Sequence, residues 1–525
     1  MRAWLECGGS GVLANAAGLR ESGGTVGRTK KLAHGGLVVS VSALVLLSGC
    51  KAVGPDYAQP ELALPAGWSS PLPPPSAEQV ELARWWGQFN DSTLSGLVER
   101  ALAGSKDLQL AQARVREARA ARGVVAANDK PSVNAGGGYE RFTQSENTGA
   151  IPQGDYGSGR DLYQGGFDAS WELDVFGRVR RQVEAADADI ASAEWGLRDV
   201  RVSLVAEVAR NYVDLRTFQE RLVIAAQNVQ TQKETVVLTE NRLRAGLTSE
   251  LDVTRARSQL ATTQAIIPGL VTGARQAIYI LSVLTGQSPG ALVAELELAG
   301  PIPGVPAGLP VGVPAEVVRR RADVRQAERE LAGATARIGV ATADLYPSFS
   351  IKGAIGLASS QVGTFFEGNS RYWSIAPGVS WNVLDFGRTR GLIDVQEART
   401  AGALAVYEQS VLVALREVDT AVIGFMQQQL QTASLKEAES AQARAVELAT
   451  KLYREGLTDF ISVLDTERNL FVLQDQAAES RGKVTLRLIE LYKSLGGGWE
   501  EPAAEAGTAE PGSGAGEHGG APTGK

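Results

Sequence analysis

RVRRQVEAADADIASAEWGLRDVRVSLVAEVARNYVDLRTFQERLVIAAQNVQTQKETVVLTENRLR fills residues 178–244, 67 positions with no proline and one glycine, Gly196. Within it Val208, Leu215, Leu222, Val229, Val236 and Leu243 recur every seven residues. That interval keeps one apolar seam of a helix against a neighbour over many turns. At about 1.5 Å per residue, a single helix of this length spans roughly 100 Å. Gly246 follows at the place where a left-handed residue ends a helix.

The same text is written again downstream. Trp171, Phe176, Gly177 and Arg178 recur as Trp381, Phe386, Gly387 and Arg388, 210 residues later. Arg244-Ala245-Gly246-Leu247-Thr248 recurs as Arg454-Glu455-Gly456-Leu457-Thr458, and Glu207-Val208 as Glu417-Val418, at the same offset. Upstream, Asp107, Gly123 and Pro131 match Asp323, Gly339 and Pro347 at 216, because the segment after the proline is six residues longer in the first copy. Three separate motifs at one spacing identify a tandem duplication.

Each copy has the order helix, two strands, long helix, tight turn, returning helix. The first copy, 91–299, predicts a helix over 91–128 capped by Asp91 or Ser92, strands over 133–142 and 166–175, the 67-residue helix, and a return over 249–284. The second, 315–495, predicts a helix over 315–344, strands over 349–357 and 373–384, a second 67-residue helix over 388–454, and a return over 461–495. A linker with five prolines, 300–314, separates them. The returning and initial helices of the first copy, about 36 and 38 residues, match one long helix when stacked end to end.

Composition narrows the function. The formal charge of -7 disfavours a nucleic-acid partner. The two cysteines are Cys7 and Cys50, and the two histidines are His34 and His518, so the repeats contain neither residue. Zinc sites of the Cys/His kind and histidine-based triads have no donors there, and no enzyme chemistry is expected. Arg28, Lys30 and Lys31 precede the apolar run 37–47 and then Ser48-Gly49-Cys50, the layout of a secretory leader ending in a small-residue cut. Residues 1–49 are expected to be removed, and 1–27, long and glycine-rich, to precede the true start. Residues 50–90, proline-rich from Pro55 to Pro75, predict an extended linker, and 496–525 a disordered tail.

Outside 37–47 no apolar run approaches the roughly 20 residues of a membrane helix, so a membrane crossing would fall to the strands. Strands in a bilayer must close into a barrel, and four per chain are too few. Two chains give eight strands and a filled interior; three give 12 and a lumen. Tyr139, Trp171, Tyr346, Tyr372, Trp373 and Trp381 fall near strand ends, as an interfacial girdle requires, although ordinary strand propensity places aromatics there too.

Leu47-Ser48-Gly49-Cys50 resembles a bacterial lipobox. With Val53-Gly54-Pro55-Asp56-Tyr57, Trp85-Trp86 before Phe89 and Asp91, the doubled Gly-Leu-Thr turns and Arg319-Arg320-Arg321-Ala322-Asp323-Val324, it resembles the outer-membrane efflux proteins of the TolC-like, NodT/OprM lipoprotein type. Ala322 stands where that signature has proline. The resemblance covers residues 50–495. It implies a mainly α fold with membrane β: a homotrimer whose 12-stranded barrel stands on a long periplasmic α-helical coiled-coil tunnel. It also implies diacylglycerol and N-acyl lipid on Cys50 as the only non-protein group. Its partners would be outer-membrane lipid, a periplasmic adaptor (membrane fusion protein) and an inner-membrane RND-type pump, exporting drugs, solvents or metals. By motif, Tyr453, Ile461 and Asp465 fall on the periplasmic gate, with Asp252 and Arg244 as partners across the tip. Ser462 and Thr458 stand where TolC has an aspartate and an arginine, so the gate carries less charge. Arg244, Gly246 and Leu247, with Arg454, Gly456 and Leu457, are expected to dock the adaptor. Asp465 and Asp252 also suit plain solvated helix positions, and the turns suit plain caps. A structural periplasmic coiled-coil lipoprotein without a pore is the alternative, and it leaves the strands without a task.

Overall fold

The computed structural model describes residues 52–69, 82–143, 159–306 and 313–499, all within one compact unit that begins at Ala52. The leader, Cys50 and the tail from residue 500 lie outside the described residues. A 3-10 segment, Leu82–Phe89, opens the helical body. The first copy follows as α1 (Ser92–Gly104), α2 (Lys106–Ala127), β1 (Ser132–Phe142), β2 (Arg160–Leu173), α3 (Arg178–Arg244) and α4 (Glu250–Leu284). After the short α5 (Val293–Leu296), the second runs α6 (Pro314–Arg320), α7 (Ala322–Ala343), β3 (Ser348–Ser359), β4 (Arg371–Ser380), α8 (Arg388–Arg454) and α9 (Phe460–Ser494).

Both 67-residue helices end where the repeat spacing places them. The initial helices differ from expectation, because each is broken at one residue. The breaks fall at Ser105 (φ −56, ψ 132) and Arg321 (φ −63, ψ 128), equivalent positions of the two copies. The cause is tertiary. A Cβ on Gly104 would lie 2.3 Å from the Thr285 carbonyl oxygen, and one on Gly496 would lie 3.3 Å from the Arg321 Cα. The glycine turn that ends each returning helix thus meets the break in the initial helix of its own copy.

The strands form one antiparallel sheet in the order β1-β2-β3-β4. Its register separates two chemistries. One face carries Val133, Ala135, Phe167, Ala169, Trp171, Ile351, Ile355, Trp373, Ile375 and Val379; the other carries Asn134, Asp168, Ser170, Glu172, Ser350, Lys352 and Ser374. The apolar face is open in the single chain, with Trp373 77% exposed. Trp171 and Trp381, at the helix-side end, donate their indole N–H to the carbonyls of Asp129 (3.0 Å) and Leu345 (3.1 Å). Tyr139 and Tyr163 pair at the far end, with ring centroids 4.9 Å apart. Tyr372, opposite Gly356, belongs to the polar face instead. An apolar face flanked by aromatics, backed by a polar one, is the surface of a lipid-embedded barrel wall. Among the described residues neither the outer edge of β1 nor that of β4 has a partner.

Strand ends shift for local reasons. β2 begins six residues before the predicted Gly166, because Gly165-Gly166 lies within the sheet and not at its border. There Gly136, Gly166 and Gly356 stand side by side in register. β4 stops at Ser380 because Asp385 caps α8, accepting from Gly387 N (3.0 Å) and Thr389 N (2.9 Å).

One helix of the body is more apolar than any continuous run in the sequence suggests. Glu250–Leu284 contains an 18-residue window of mean hydropathy 1.4, enough by length and composition to cross a membrane. The pattern hides this because Pro268-Gly269 and scattered threonines interrupt any continuous run. α4 packs along α3, with Leu270, Ala274, Ala277, Ile278 and Leu281 buried, while Ile266, Ile280 and Val283 stay exposed.

Residues 52–69 are more than a tether, for they pack on both copies. Arg181, at the start of α3, is buried and donates to Val53 O (3.0 Å), Gly54 O (3.2 Å), Asp56 Oδ1 (2.6 Å) and Glu184 Oε2 (2.7 Å). Tyr57 donates to the buried Glu328 (2.7 Å), Leu62 and Leu64 pack beside Tyr407 and Val411, and Ser69 N donates to Asp419 (3.1 Å). This strap ties α3 of the first copy to α7 and α8 of the second. Arg181→Ala is expected to cost about 2–3 kcal/mol, because it removes a buried cation and orphans the carbonyls it serves. A lowered denaturation midpoint and protease cleavage within residues 52–69 would register the loss; an unchanged midpoint would contradict it.

Candidate gate and docking tips

The two long hairpins end in superposable turns. Gly246 (φ +71) and Gly456 (φ +76) adopt the left-handed conformation that a Cβ disfavours, although space around both is open. Gly246 N donates to Leu243 O (2.9 Å) and Leu247 N to Arg242 O (2.8 Å), and the second tip repeats both bonds. These bonds satisfy carbonyls left over at the helix ends. They also push Leu247 and Leu457 outward, 65% and 69% exposed. The Arg244 guanidinium donates to its own helix neighbour Asn241.

Asp252 sits in a capping box with Ser249 and accepts from Thr248 Oγ1 at 2.6 Å. Burial raises its pKa, but the bonds from Thr248 and Ser249 outweigh burial and hold the carboxyl below its ordinary value. Among the described residues Asp252 pairs with Thr248, Ser249 and Arg255 and Arg244 with Asn241, so neither bonds to the second tip. Asp465 is exposed and paired with Arg468 (2.7 Å) and Asn469 (3.3 Å) on its own helix. Ile461 is exposed beside it, whereas Tyr453 is only 4% exposed. The three second-copy residues therefore divide: Ile461 and Asp465 project from the tip, and Tyr453 lies inside.

What holds Tyr453 inside is Arg242, which motif matching overlooks. Its guanidinium lies 4.5 Å from the Tyr453 ring centroid and donates to Tyr453 O (3.2 Å) and Arg454 O (3.5 Å). Phe460, Val463, Val236 and Ala256 enclose the same ring. One cation thus caps the last carbonyls of α8 and clamps α3 to it. The signal in the sequence is an asymmetry between copies: Leu452 stands at the position equivalent to Arg242, and Leu243 at that of Tyr453.

Further along, polar rungs join α3 to α9: Arg221 to Asp475 (2.8 Å), Asn228 to Gln474 (2.8 Å) and Thr235 to Glu467 (2.9 Å). Glu467 is buried, and its second carboxyl oxygen has no partner among the described residues. Burial lifts its pKa above the ordinary value, and the Thr235 bond offsets this only in part. Ionisation of Glu467 therefore opposes folding: the penalty is absent below the unfolded-state pKa, grows as pH rises, and is complete above the folded-state pKa. Glu467→Gln is expected to raise the melting temperature by about 2 °C at pH 7.5 and to leave it unchanged near pH 4. An equal effect at both pH values would contradict the assignment.

Long hairpins standing on a two-faced, open-edged sheet define a channel of the bacterial outer membrane. Residues 97–287 and 313–497 match the family model described as outer membrane efflux protein, and the chain belongs to this family. The two matched segments are the two copies. Nodulation protein T of Rhizobium leguminosarum bv. trifolii is 30% identical over 88% of this chain and 97% of its own. The toluene efflux pump outer membrane protein TtgF of Pseudomonas putida is 31% identical over 90% and 99%. Among solved structures, the outer-membrane channel OprN aligns at a TM-score of 0.79 with 38% identity, covering 85% of this chain and 99% of that one. The open state of the Neisseria gonorrhoeae MtrE outer membrane channel aligns at 0.75 with 25% identity, covering 86% and 99%. The protein is an outer-membrane efflux channel.

Proposed function

We propose that three copies assemble into a passive conduit that receives small molecules from a periplasmic adaptor and an inner-membrane RND-type pump. The observation that carries this reading is the sheet: among the described residues, four strands with a lipid-compatible face and two unpartnered edges. Closure requires β4 of one copy to pair with β1 of the next, and three copies give a 12-stranded barrel wide enough for a lumen. Six long hairpins would then hang below it, and their tips, bearing Leu247 and Leu457, offer apolar knobs to an adaptor. Arg244, Gly246, Arg454 and Gly456 frame those knobs. Three Asp465 carboxylates and three Ile461 side chains would converge near the axis, with Asp252 and Arg244 facing the neighbouring copy. Lipid on Cys50 would anchor the strap to the membrane; a related Salmonella typhimurium protein is described as a probable outer membrane lipoprotein. Solvents, drugs and metal ions are the cargo classes, and the pump selects among them.

The protein mass of the detergent-solubilised assembly tests this reading. Three chains are expected, and a monodisperse monomer or dimer would overturn the 12-stranded closure. Incorporation of radiolabelled palmitate, lost in Cys50→Ser, tests the anchor independently.

A further inference from the structure

Near the end farthest from the helices, the apolar face of the sheet is indented. A groove of about 640 Å³ lies beside the row Phe167, Ile355 and Trp373 and is bounded farther out by Leu357, Phe365 and Arg371. A second hollow of about 360 Å³ shares that row and continues towards Val133, Ala169 and Ile375. Together they form an apolar track along β4 from Arg371 to Ile375, about 13 Å at the strand rise.

The track exists because of Gly165. A Cβ there would meet only the Phe365 ring, at 3.4 Å, and the Gly136 carbonyl oxygen, at 3.9 Å, so a larger side chain would fill the space without straining the backbone. Phe365, from the β3–β4 connection, walls the groove on the other side. Arg371 stands at the outer mouth, on the same face as Leu357 and Trp373. It is exposed and makes no ion pair among the described residues. A guanidinium at the end of an apolar track suits an acyl chain under a phosphate, which a planar guanidinium can grip with two parallel N–H bonds.

We propose that this groove binds one acyl chain of a phosphorylated glycolipid of the outer leaflet, with the phosphate held by Arg371. The site rests on the reading of the apolar face as lipid-facing and of the far end as the exterior. In the closed assembly β2, β3 and β4 of one chain build the whole groove, so each copy carries a complete site. Annular lipid would become a fixed component at this position and would brace the Phe365 turn against the barrel wall.

Native mass spectrometry of the purified full-length assembly, incubated with diphosphoryl lipid A and released from detergent, tests the site. One retained lipid per chain is expected. Arg371→Ala should reduce retention more than tenfold, Arg371→Lys should restore part of it, and Gly165→Leu should abolish it. Lipid retained equally by the alanine and leucine variants would overturn the proposal, as would retention of phosphatidylglycerol in preference to lipid A. Assembly mass and bilayer conductance of the same preparations report folding and the channel itself. A variant that conducts normally yet loses lipid supports the site. A wild type that conducts yet retains no lipid refutes the site alone.

Discussion

Arg242→Ala is expected to unseal the channel. Arg242 gives the second tip a cation–π contact, worth about 1–2 kcal/mol when desolvated, and charge-assisted bonds to two backbone carbonyls. Its removal leaves the Tyr453 ring uncovered and the end of α8 free to part from α3. A loss of about 3 kcal/mol from the closed arrangement changes the closed-to-open ratio about a hundredfold. Open probability in planar bilayers should rise by that order, and cells should become permeable to large antibiotics. Arg242→Lys, which keeps the charge but not the planar stack, should fall between. Tyr453→Phe should leave the gate shut, because the Tyr453 hydroxyl is buried without a partner among the described residues. If Tyr453→Phe opens the channel and Arg242→Ala does not, the clamp is misassigned.

Gly166→Val should abolish the barrel while sparing the helices. An added Cβ at Gly166 would lie 2.4 Å from the Ile355 carbonyl oxygen and 2.7 Å from the Gly356 Cα, both backbone atoms that cannot yield without parting β2 from β3. In hydrocarbon each backbone group left unpaired costs several kcal/mol, so a gap in mid-sheet defeats closure. We expect near wild-type far-UV helicity with no heat-resistant oligomer in the outer membrane. The neighbouring Gly165→Ala meets the Phe365 ring and the Gly136 carbonyl oxygen only at ordinary contact distances and should assemble normally. Equal assembly of the two variants would show that the close approach is not required.

The long helices and both tips were legible from the sequence because their signals are local and doubled: a seven-residue seam, a glycine stop, and the same text 210 residues on. The breaks at Ser105 and Arg321 were not. They arise where Gly286 and Gly496 turns of distant helices press in, a contact that no local propensity records. The sequence understates β2 for the opposite reason, since Gly165-Gly166 has the composition of a turn but serves the sheet by lacking side chains. The family motif points to Tyr453 and not to Arg242, because the clamp exists only in one copy and pairs residues 211 positions apart. The strap reads as a spacer because prolines announce extension and say nothing of what the extended chain touches.

Single-channel recording of the purified assembly in planar bilayers, comparing wild type with Arg242→Ala and Asp465→Ala, decides whether the protein is a conduit sealed at its tips. A conduit sealed at its tips predicts small, brief openings in wild type that lengthen and grow in both variants. The absence of conductance in all three, from a correctly inserted assembly, would contradict the account and leave a coiled-coil lipoprotein without a pore.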